Sequence, residues 1–176
     1  MKEWFEGKTV AIVGNAESLI RQRYGQEIDQ AEVVVRINRG GYRFSDFPVQ
    51  MGTKLDVWCM QNGRQNKPFV TRTKAHKMQM DTIDVSPHFI DLVDLVYTKE
   101  MCKELSSNLS KKPSTGLRVL DYVYRSDPKE VKVYGFDWKE TFSWHEKRVC
   151  VAHSFKEEKD YCEKVFFAKS WFIVRK

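Results

Sequence analysis

The pattern of apolar and polar residues predicts short strands that alternate with helices along most of the chain. Five runs rich in β-branched residues are typical of buried strands: TVAIV (9–13), EVVVRI (32–37), DVWCM (56–60), DLVYT (94–98) and VKVYGF (131–136). AESLIRQRY follows the first run, and GLRVLDYVYR, which precedes the last, has Leu117, Leu120 and Tyr124 at helical spacing. We therefore expect an α/β fold with a mostly parallel, Rossmann-like central sheet flanked by helices.

The overall composition predicts one globular domain over residues 1–176. The chain is 41% hydrophobic and 31% charged, and we find no repeat or linker that would divide it. No apolar run approaches the roughly 20 residues that span a bilayer, and MKEWFEGK is not a signal peptide. We expect a cytoplasmic protein that does not contact a membrane. Cys59, Cys102, Cys150 and Cys162 are scattered, which predicts free thiols rather than a zinc site or a disulfide framework.

The net charge of +6 is concentrated in residues 61–80. This window contains Arg64, Lys67, Arg72, Lys74 and Lys77 and no acidic residue. One interpretation is a solvated loop. The other is a binding surface for a polyanion, of which nucleic acid is the commonest.

Two asparagines follow predicted strands, at the edge where a parallel sheet binds its ligands. The turn VGNAESL lacks the GxGxxG fingerprint of a close pyrophosphate contact, and the amide of Asn15 suits a ribose hydroxyl or a base edge better. Asn38 ends the second strand at the same edge. Strand alternation places Arg36 on the same side as Asn38, and an internal salt bridge of Arg36 with Asp29 or Asp56 is the simpler interpretation.

A third segment, KKPSTGLRVLDYVYR, predicts a helix that begins at Ser114 or Thr115 and ends near Arg125. Capping accounts for one of the two hydroxyls. The second hydroxyl, together with Gly116 and the free backbone N–H groups of a helix start, indicates an anion site.

A fourth segment places a histidine immediately before a helix. Ser154 and Glu157 form an S-x-x-E capping box, so the helix is predicted to begin at Ser154. His153 then lies at the positive end of the helix dipole, which keeps the ring neutral, as a general base requires. The alternative is a histidine that only makes structural hydrogen bonds.

Taken in order, these segments resemble the motif set of glycosyltransferase family 29, the sialyltransferases. VAIVGNAESL and YGQEIDQAEVVVRINRG, with MGTK after it, resemble the large motif. PSTGL through VYGF resembles the small motif, and HSFKEE resembles the very small motif, a histidine and a glutamate separated by four residues (His153 and Glu158). The resemblance covers roughly residues 8–58 and 112–160 and is closest to compact microbial or bacteriophage members.

The resemblance implies an inverting enzyme that takes a sugar from a CMP-linked donor, on the sialyltransferase variant of the GT-A-like fold. It implies no metal or other cofactor, and the sequence contains no DxD motif. The residues that match donor-binding positions of the family are Asn15 and Asn38 for the ribose and phosphate, Ser114, Thr115 and Gly116 for the sugar carboxylate and nucleotide, and Gly135 at the end of the small motif. His153 matches the catalytic base, and His145 is the candidate that stabilises the leaving phosphate.

The acceptor has two interpretations. The basic residues of 61–80 favour DNA, such as a hydroxymethylated base flipped toward His153. Transfer to a lipopolysaccharide or another glycan is the alternative, for which Trp138 and Trp144 are natural aromatic platforms. A third possibility is a nucleotide-binding protein without catalysis, which would need Asn15, Asn38 and the Ser114–Thr115 site but not His153.

Overall fold

The computed structural model describes residues 4–61, 67–80, 92–147 and 151–175. Its centre is a seven-stranded sheet in which every neighbouring pair of strands is parallel. The strands are β1 Thr9–Val13, β2 Val33–Ile37, β3 Val57–Met60, β4 His76–Gln79, β5 Leu95–Val96, β6 Glu130–Tyr134 and β7 Phe172–Arg175. Their order across the sheet is β5-β4-β3-β2-β1-β6-β7.

Short helices follow most strands, and two longer ones cover the sheet near β1 and β6. The α-helices are α1 Gly25–Asp29, α2 Gly40–Arg43, α3 Pro48–Met51, α4 Lys67–Val70, α5 Lys99–Ser106, α6 Thr115–Arg125 and α7 Phe155–Val165. The 3-10 helices span Glu17–Arg21 and Phe44–Asp46.

The predicted α/β class and parallel sheet are confirmed, and the five predicted strands are present with small shifts at their ends. Two strands were missed. β4 (HKMQ) lies in the basic window and has a polar sequence, and β7 (FIVR) follows a helix without a turn signal. AESLIRQRY forms a 3-10 helix at Glu17–Arg21 instead of a regular α-helix.

The core lies on both faces of the sheet, which explains why the central strands have continuous apolar sequences. On one face Val10, Ile12 and Val133 pack with residues of α6 and α7 such as Leu120 and Cys162. On the opposite face, a smaller cluster of buried residues that includes Ala11 and Val34 lies under the 3-10 helix Glu17–Arg21 and under α1. The chain runs outward from β1 to β5 and then returns to β6, so the strand order reverses between β1 and β6, and the loops that follow these two strands lie at the carboxyl edge of the sheet.

The salt bridge expected for Arg36 is not formed. The guanidinium of Arg36 is 1% exposed, lies over the ring of Phe44, and donates to the backbone oxygens of Lys54 (2.9 Å) and Met51 (2.7 Å). Burial lowers the pKa of Arg36 to about 10. Asp29 instead accepts hydrogen bonds from the backbone of Thr53 and Lys54. Arg36 therefore braces the segment between α3 and β3.

Three of the four cysteines, Cys59, Cys102 and Cys162, are buried free thiols, as the sequence predicts. Cys150 lies outside the described residues. Within the described ranges, none of the helices combines the length and the apolar character needed to cross a lipid bilayer.

Candidate active site

The two predicted asparagines meet at the carboxyl edge of the sheet. The side-chain N–H of Asn15 donates to the backbone oxygen of Ile37 at 3.0 Å, which holds Asn15 against the end of β2. The other side-chain atom, Oδ1, is buried without a hydrogen-bond partner and faces Gly40, where an added Cβ would lie 2.3 Å away. An unpartnered buried oxygen is costly, so Asn15 presents an acceptor that a ligand hydroxyl can satisfy.

Asn38 adopts a left-handed backbone conformation, with φ of 50°, that ends β2. Strand alternation stops at this point, so the prediction that Arg36 and Asn38 face the same side does not hold. The side-chain oxygen of Asn38 accepts from the backbone N–H of Gln61 at 3.0 Å. This bond ties the turn after β2 to the end of β3.

The ring of Phe136 joins the turn after β1 to the start of α6. A Cβ on Gly14 would lie 2.4 Å from the backbone oxygen of Gly135 and 2.7 Å from the Phe136 ring. A Cβ on Gly116 would lie 3.0 Å from the same ring. Gly135 itself has φ of 65°, a conformation that favours glycine. Three predicted donor segments therefore converge around one aromatic side chain.

Ser114 caps α6, as predicted, but its hydroxyl is also engaged inside the protein. Its Oγ accepts from the N–H of Leu117 at 3.2 Å and donates to the carboxylate of Glu158 at 2.6 Å. The N–H of Ser114 donates to the same carboxylate at 2.7 Å. Thr115 is 5% exposed. A ligand anion at this helix start would therefore meet the N–H groups of the first turn rather than the two hydroxyls.

Glu158 is a buried carboxylate at the centre of this arrangement. It is 1% exposed, and burial raises its pKa, while the hydrogen bonds from Ser114 and the positive charge of Arg118 oppose that rise. Arg118 is also fully buried and donates to the backbone oxygen of Met80. The glutamate of the HSFKEE segment thus has a structural partner in the PSTGL segment.

His153 lies just before α7, and its ring is oriented by the backbone. Its Nδ1 is 2.7 Å from the backbone oxygen of Lys112. Because a carbonyl oxygen can only accept, Nδ1 carries the proton and Nε2 of the neutral ring keeps its lone pair. Ser154 is the N-cap residue, as predicted, but its side chain makes no cap bond, and Glu157 instead accepts from Ser110 at 2.8 and 2.7 Å. The predicted capping box is therefore wrong.

His145 lies close to Asn15, in the segment that follows β6. The N–H of Trp144 donates to the backbone oxygen of Asn15 at 3.0 Å, and Ser143 forms a β-bridge with Ala16. Burial lowers the pKa of His145 to about 4, with Arg39 and other nearby cations adding to the effect. The ring is consequently neutral near pH 7. It can donate a hydrogen bond to a phosphate but holds no positive charge in this state.

The basic window runs from one edge of the sheet to the other: its first residue, Gln61, follows β3 at the carboxyl edge, and the segment before β4 lies at the amino edge. Arg72 and Lys74 are exposed and precede β4, which starts level with the first residue of β3, so they lie at the amino edge of the sheet. Lys77 is half-buried within β4, and Lys67 is the first residue of α4. Arg64 lies outside the described residues. Arg72 and Lys74 thus lie at the edge of the sheet opposite Asn15 and Asn38.

Sequence reasoning missed the roles of Phe136, Glu158 and Gly40. Phe136 stands in the VYGF run, but its packing on two glycines from distant segments has no local signal. Glu158 shares one face of α7 with buried Cys162, four residues later, and a carboxylate on an apolar helix face is a recognisable sign of a buried partner.

The chain matches known sialyltransferases in sequence and in fold. Residues 6–79 match the family model for glycosyltransferase family 29 (sialyltransferase). A mammalian sialyltransferase in complex with Gal-beta-1-3GalNAc-ortho-nitrophenol superposes with a TM-score of 0.70 at 16% identity, covering 99% of this chain and 71% of that chain. The resemblance to family 29 is confirmed. The chain is a glycosyltransferase.

Bacterial sialyltransferases share the fold at similar identity. The sialyltransferase CstII from Campylobacter jejuni in complex with cytidine-5'-monophosphate gives a TM-score of 0.60 at 15% identity, covering 96% of this chain and 80% of that chain. The same enzyme with the substrate analogue CMP-3FNeuAc gives 0.54 at 15% identity, covering 95% and 78%. No curated protein sequence matches this chain.

Proposed function

We propose that this protein is an inverting glycosyltransferase that moves a sugar from a CMP-sugar donor to an acceptor hydroxyl. The observation that carries the proposal is the convergence of Asn15, Phe136, the start of α6 and His153 along one edge of the sheet. The ring of Phe136 lies against both the turn after β1 and the start of α6. Ser114 bonds α6 to α7, the helix that follows His153. The solved structures of this fold that hold CMP or a CMP-sugar analogue support the choice of donor.

Donor binding would use the polar groups that the protein leaves available at this edge. We assign to the buried, unpartnered Oδ1 of Asn15 the role of accepting from a ribose hydroxyl. Apart from the N–H of Leu117, which donates to Ser114, the first-turn N–H groups of α6 would provide donors for the phosphate or for a carboxylate of the sugar. Gly14 and Gly116 let both segments approach Phe136 closely.

The proposed reaction is a single displacement at the anomeric carbon. Nε2 of His153 takes the proton from the acceptor hydroxyl as its oxygen bonds to the anomeric carbon, and the bond from that carbon to the phosphate oxygen breaks. CMP leaves with the electron pair, and the imidazolium of His153 later releases its proton to water. The charge that develops on the phosphate is met by N–H groups, including that of neutral His145, and the proposal involves no metal ion.

A glycan acceptor is favoured over DNA. Two of the five basic residues that motivated the DNA hypothesis, Arg72 and Lys74, lie at the amino edge, whereas His153 lies at the carboxyl edge. A mammalian protein of this fold was solved with Gal-beta-1-3GalNAc-ortho-nitrophenol, which supports a sugar hydroxyl as the acceptor.

The proposal is tested by comparing donor binding with turnover. In a thermal-shift screen of CMP, CDP, UMP and UDP, we expect CMP to stabilise the protein most, because a ligand bound to the native state raises the melting temperature. His153→Ala should retain this stabilisation and lose roughly 10²–10⁴-fold in the rate of CMP-sugar consumption. No stabilisation by any of the four nucleotides would contradict the proposal. Unchanged turnover in His153→Ala would contradict the role of the base, and CMP binding without turnover in the wild type would favour a non-catalytic nucleotide-binding protein.

A further inference from the structure

Arg39 and Glu146 form an ion pair close to Asn15, at the carboxyl edge of the sheet. Arg39 follows the turn residue Asn38 after β2, and its Nη1 lies 3.7 Å from a carboxylate oxygen of Glu146. Both side chains are partly accessible to solvent, with exposed fractions of 34% for Arg39 and 41% for Glu146. A pair of this kind contributes little to stability, so the fold does not require it at this position.

The backbone brings the two members of this pair to Asn15 from opposite sides. Arg39 directly precedes Gly40, which packs so closely on Asn15 that an added Cβ would lie 2.3 Å from the side-chain oxygen. On the other side, the N–H of Trp144 donates to the backbone oxygen of Asn15 at 3.0 Å, two residues before Glu146. The ion pair is therefore adjacent to the oxygen that we assign to the ribose of the donor.

The electrostatic surroundings of His145 indicate that this region favours an anion. Burial is the largest cause of the lowered pKa of His145, and the nearby cation with the largest further effect is Arg39. Lys139 and Arg43 act in the same direction, and Glu146 acts against them. Three cations around one neutral ring, with one carboxylate among them, attract a negatively charged ligand.

Of these three cations, Arg39 is the one that belongs to a donor-binding turn. Its backbone lies between Asn38 and Gly40, directly after the carboxyl end of β2. Arg43 is one turn further along α2, and its guanidinium is 3.5 Å from the carboxylate of Asp46. The charge of Arg43 is thus compensated on its own segment, and Arg39 is the arginine next to the donor residues.

The proposed reaction increases the negative charge of the donor phosphate. The phosphodiester of a CMP-sugar carries a single negative charge, and CMP leaves with a second one. His145 is neutral near pH 7, so it offers this phosphate a hydrogen bond without a positive charge. A guanidinium combines a permanent positive charge with N–H donors whose geometry matches phosphate oxygens.

We propose that Arg39 exchanges Glu146 for the donor phosphate and acts as a further catalytic residue that stabilises the leaving CMP. The inference rests on the proposed glycosyltransferase function. The bond between the anomeric carbon and the phosphate oxygen breaks, and the electron pair passes to that oxygen next to the guanidinium, which stays protonated throughout. Glu146 is the partner of Arg39 in the absence of donor, and the phosphate displaces it.

The test separates the phosphate from the nucleoside. Calorimetry and NMR titration would measure the affinities of CMP and of cytidine, which lacks the phosphate, for the wild type, Arg39→Gln and Glu146→Gln. The matched control is Arg21→Gln, which removes the same charge from another exposed ion pair, 3.4 Å from Glu17 in the segment after β1. Melting temperatures without ligand verify that each variant is folded.

We expect Arg39→Gln to bind CMP about tenfold more weakly than the wild type and to bind cytidine equally well. Glu146→Gln should bind CMP about threefold more tightly, because Arg39 is released and a carboxylate that repels the phosphate is removed. Arg21→Gln should match the wild type for both ligands.

The same arginine should affect turnover. We expect the rate of CMP-sugar consumption to fall by about 10²-fold in Arg39→Gln, since a charge directed at the leaving group is lost. In Arg39→Ala, guanidinium ion at concentrations that leave the protein folded should restore part of the rate. A purely structural role of Arg39 would not allow this rescue.

Three results would overturn the inference. An affinity of Arg39→Gln for CMP within about twofold of the wild-type value would show that Arg39 does not hold the phosphate. An equal loss of affinity for cytidine would assign Arg39 to the nucleoside or to the folding of its turn. Weaker CMP binding by Glu146→Gln would show that the ion pair supports the site and is not exchanged.

These outcomes are distinct from a failure of the proposed function. In each of them the wild type still binds CMP, so the proposed glycosyltransferase activity stands. Absence of any CMP binding by the wild type would contradict the proposed function, and the role of Arg39 would be refuted with it.

Discussion

Ser114 and Glu158 are joined by two hydrogen bonds, from the hydroxyl at 2.6 Å and from the backbone N–H at 2.7 Å. This contact fixes the start of α6, next to the donor residues, against α7, which follows the catalytic candidate His153. The relative position of the donor site and the base therefore depends on one buried pair.

Replacing the hydroxyl of this pair should destabilise the protein measurably. In Ser114→Ala the helix loses its cap and Glu158 loses a donor, and we expect a loss of about 1–3 kcal/mol in the free energy of unfolding. The control is Ser110→Ala, which removes an exposed hydroxyl that also donates to a carboxylate of α7, and it should cost less than about 0.5 kcal/mol. Urea unfolding measures both, and equal effects of the two changes would contradict the role assigned to Ser114.

The buried carboxylate of Glu158 should make stability depend on pH. Its pKa is raised above 4.5 in the folded protein, so the folded state binds a proton more tightly than the unfolded state. Wild-type protein should therefore lose stability relative to Glu158→Gln as pH rises above about 4.5, until the folded carboxyl is also ionised. Melting temperatures of both proteins between pH 4 and 8 check this, and a difference that does not change with pH would refute it.

His145 should make stability depend on pH in the opposite direction. Its pKa is lowered from 6.5 to about 4, so between pH 4 and 6.5 the unfolded state binds a proton that the folded state does not bind. Wild-type protein should lose stability relative to His145→Gln as pH falls from 6.5 toward 4. If the free energies of unfolding of the two proteins differ by the same amount at every pH in that range, the His145 ring is not shielded from protonation as described. Near pH 7 the same variant should show slower transfer, because it lacks the imidazole N–H at the phosphate.

Gly40 should affect CMP binding through its contact with the side chain of Asn15. A Cβ at position 40 would lie 2.3 Å from the side-chain oxygen of Asn15, at the end of a side chain that can move away. Gly40→Ala should thus weaken CMP binding about as much as Asn15→Ala does, roughly tenfold, and the double variant should be no weaker than either single one. Gly7→Ala is the control: a Cβ there meets nothing within 4 Å, but φ of 69° strains it, so this variant should lose stability and keep the wild-type affinity for CMP. Calorimetric titration with CMP measures the affinities of Gly40→Ala, Asn15→Ala and the double variant. If the double variant loses as much binding free energy as the two single variants together, Gly40 does not act through Asn15.

The exposed basic residues at the amino edge should not contribute to transfer. We expect the double variant Arg72→Ala, Lys74→Ala to keep the wild-type kcat/KM for a glycan acceptor, because both residues lie before β4, at the edge opposite His153. The kinetic constants would be measured at low and high salt. Salt-sensitive binding to duplex DNA that disappears in this variant, together with transfer to a hydroxymethylated base, would restore the DNA hypothesis.

The sequence alone determined the fold class and the two asparagines at the ligand edge. Strands buried on both faces have continuous apolar sequences, and in a parallel sheet their carboxyl ends meet at one edge, so Asn15 and Asn38 could be placed without coordinates. The same logic missed β4 and β7, which lie toward the sides of the sheet and have weaker apolar patterns.

The tertiary structure decided which polar groups are available for chemistry. The hydroxyl of Ser114 is engaged by a carboxylate 44 residues away, His145 is neutral because neighbouring segments bury it, and Arg72 and Lys74 lie at the edge away from the site. The spacing of apolar residues along a segment indicates which of its sides packs against the sheet. It contains no information on contacts between distant segments, which depend on how α6, α7 and the loop after β6 pack together.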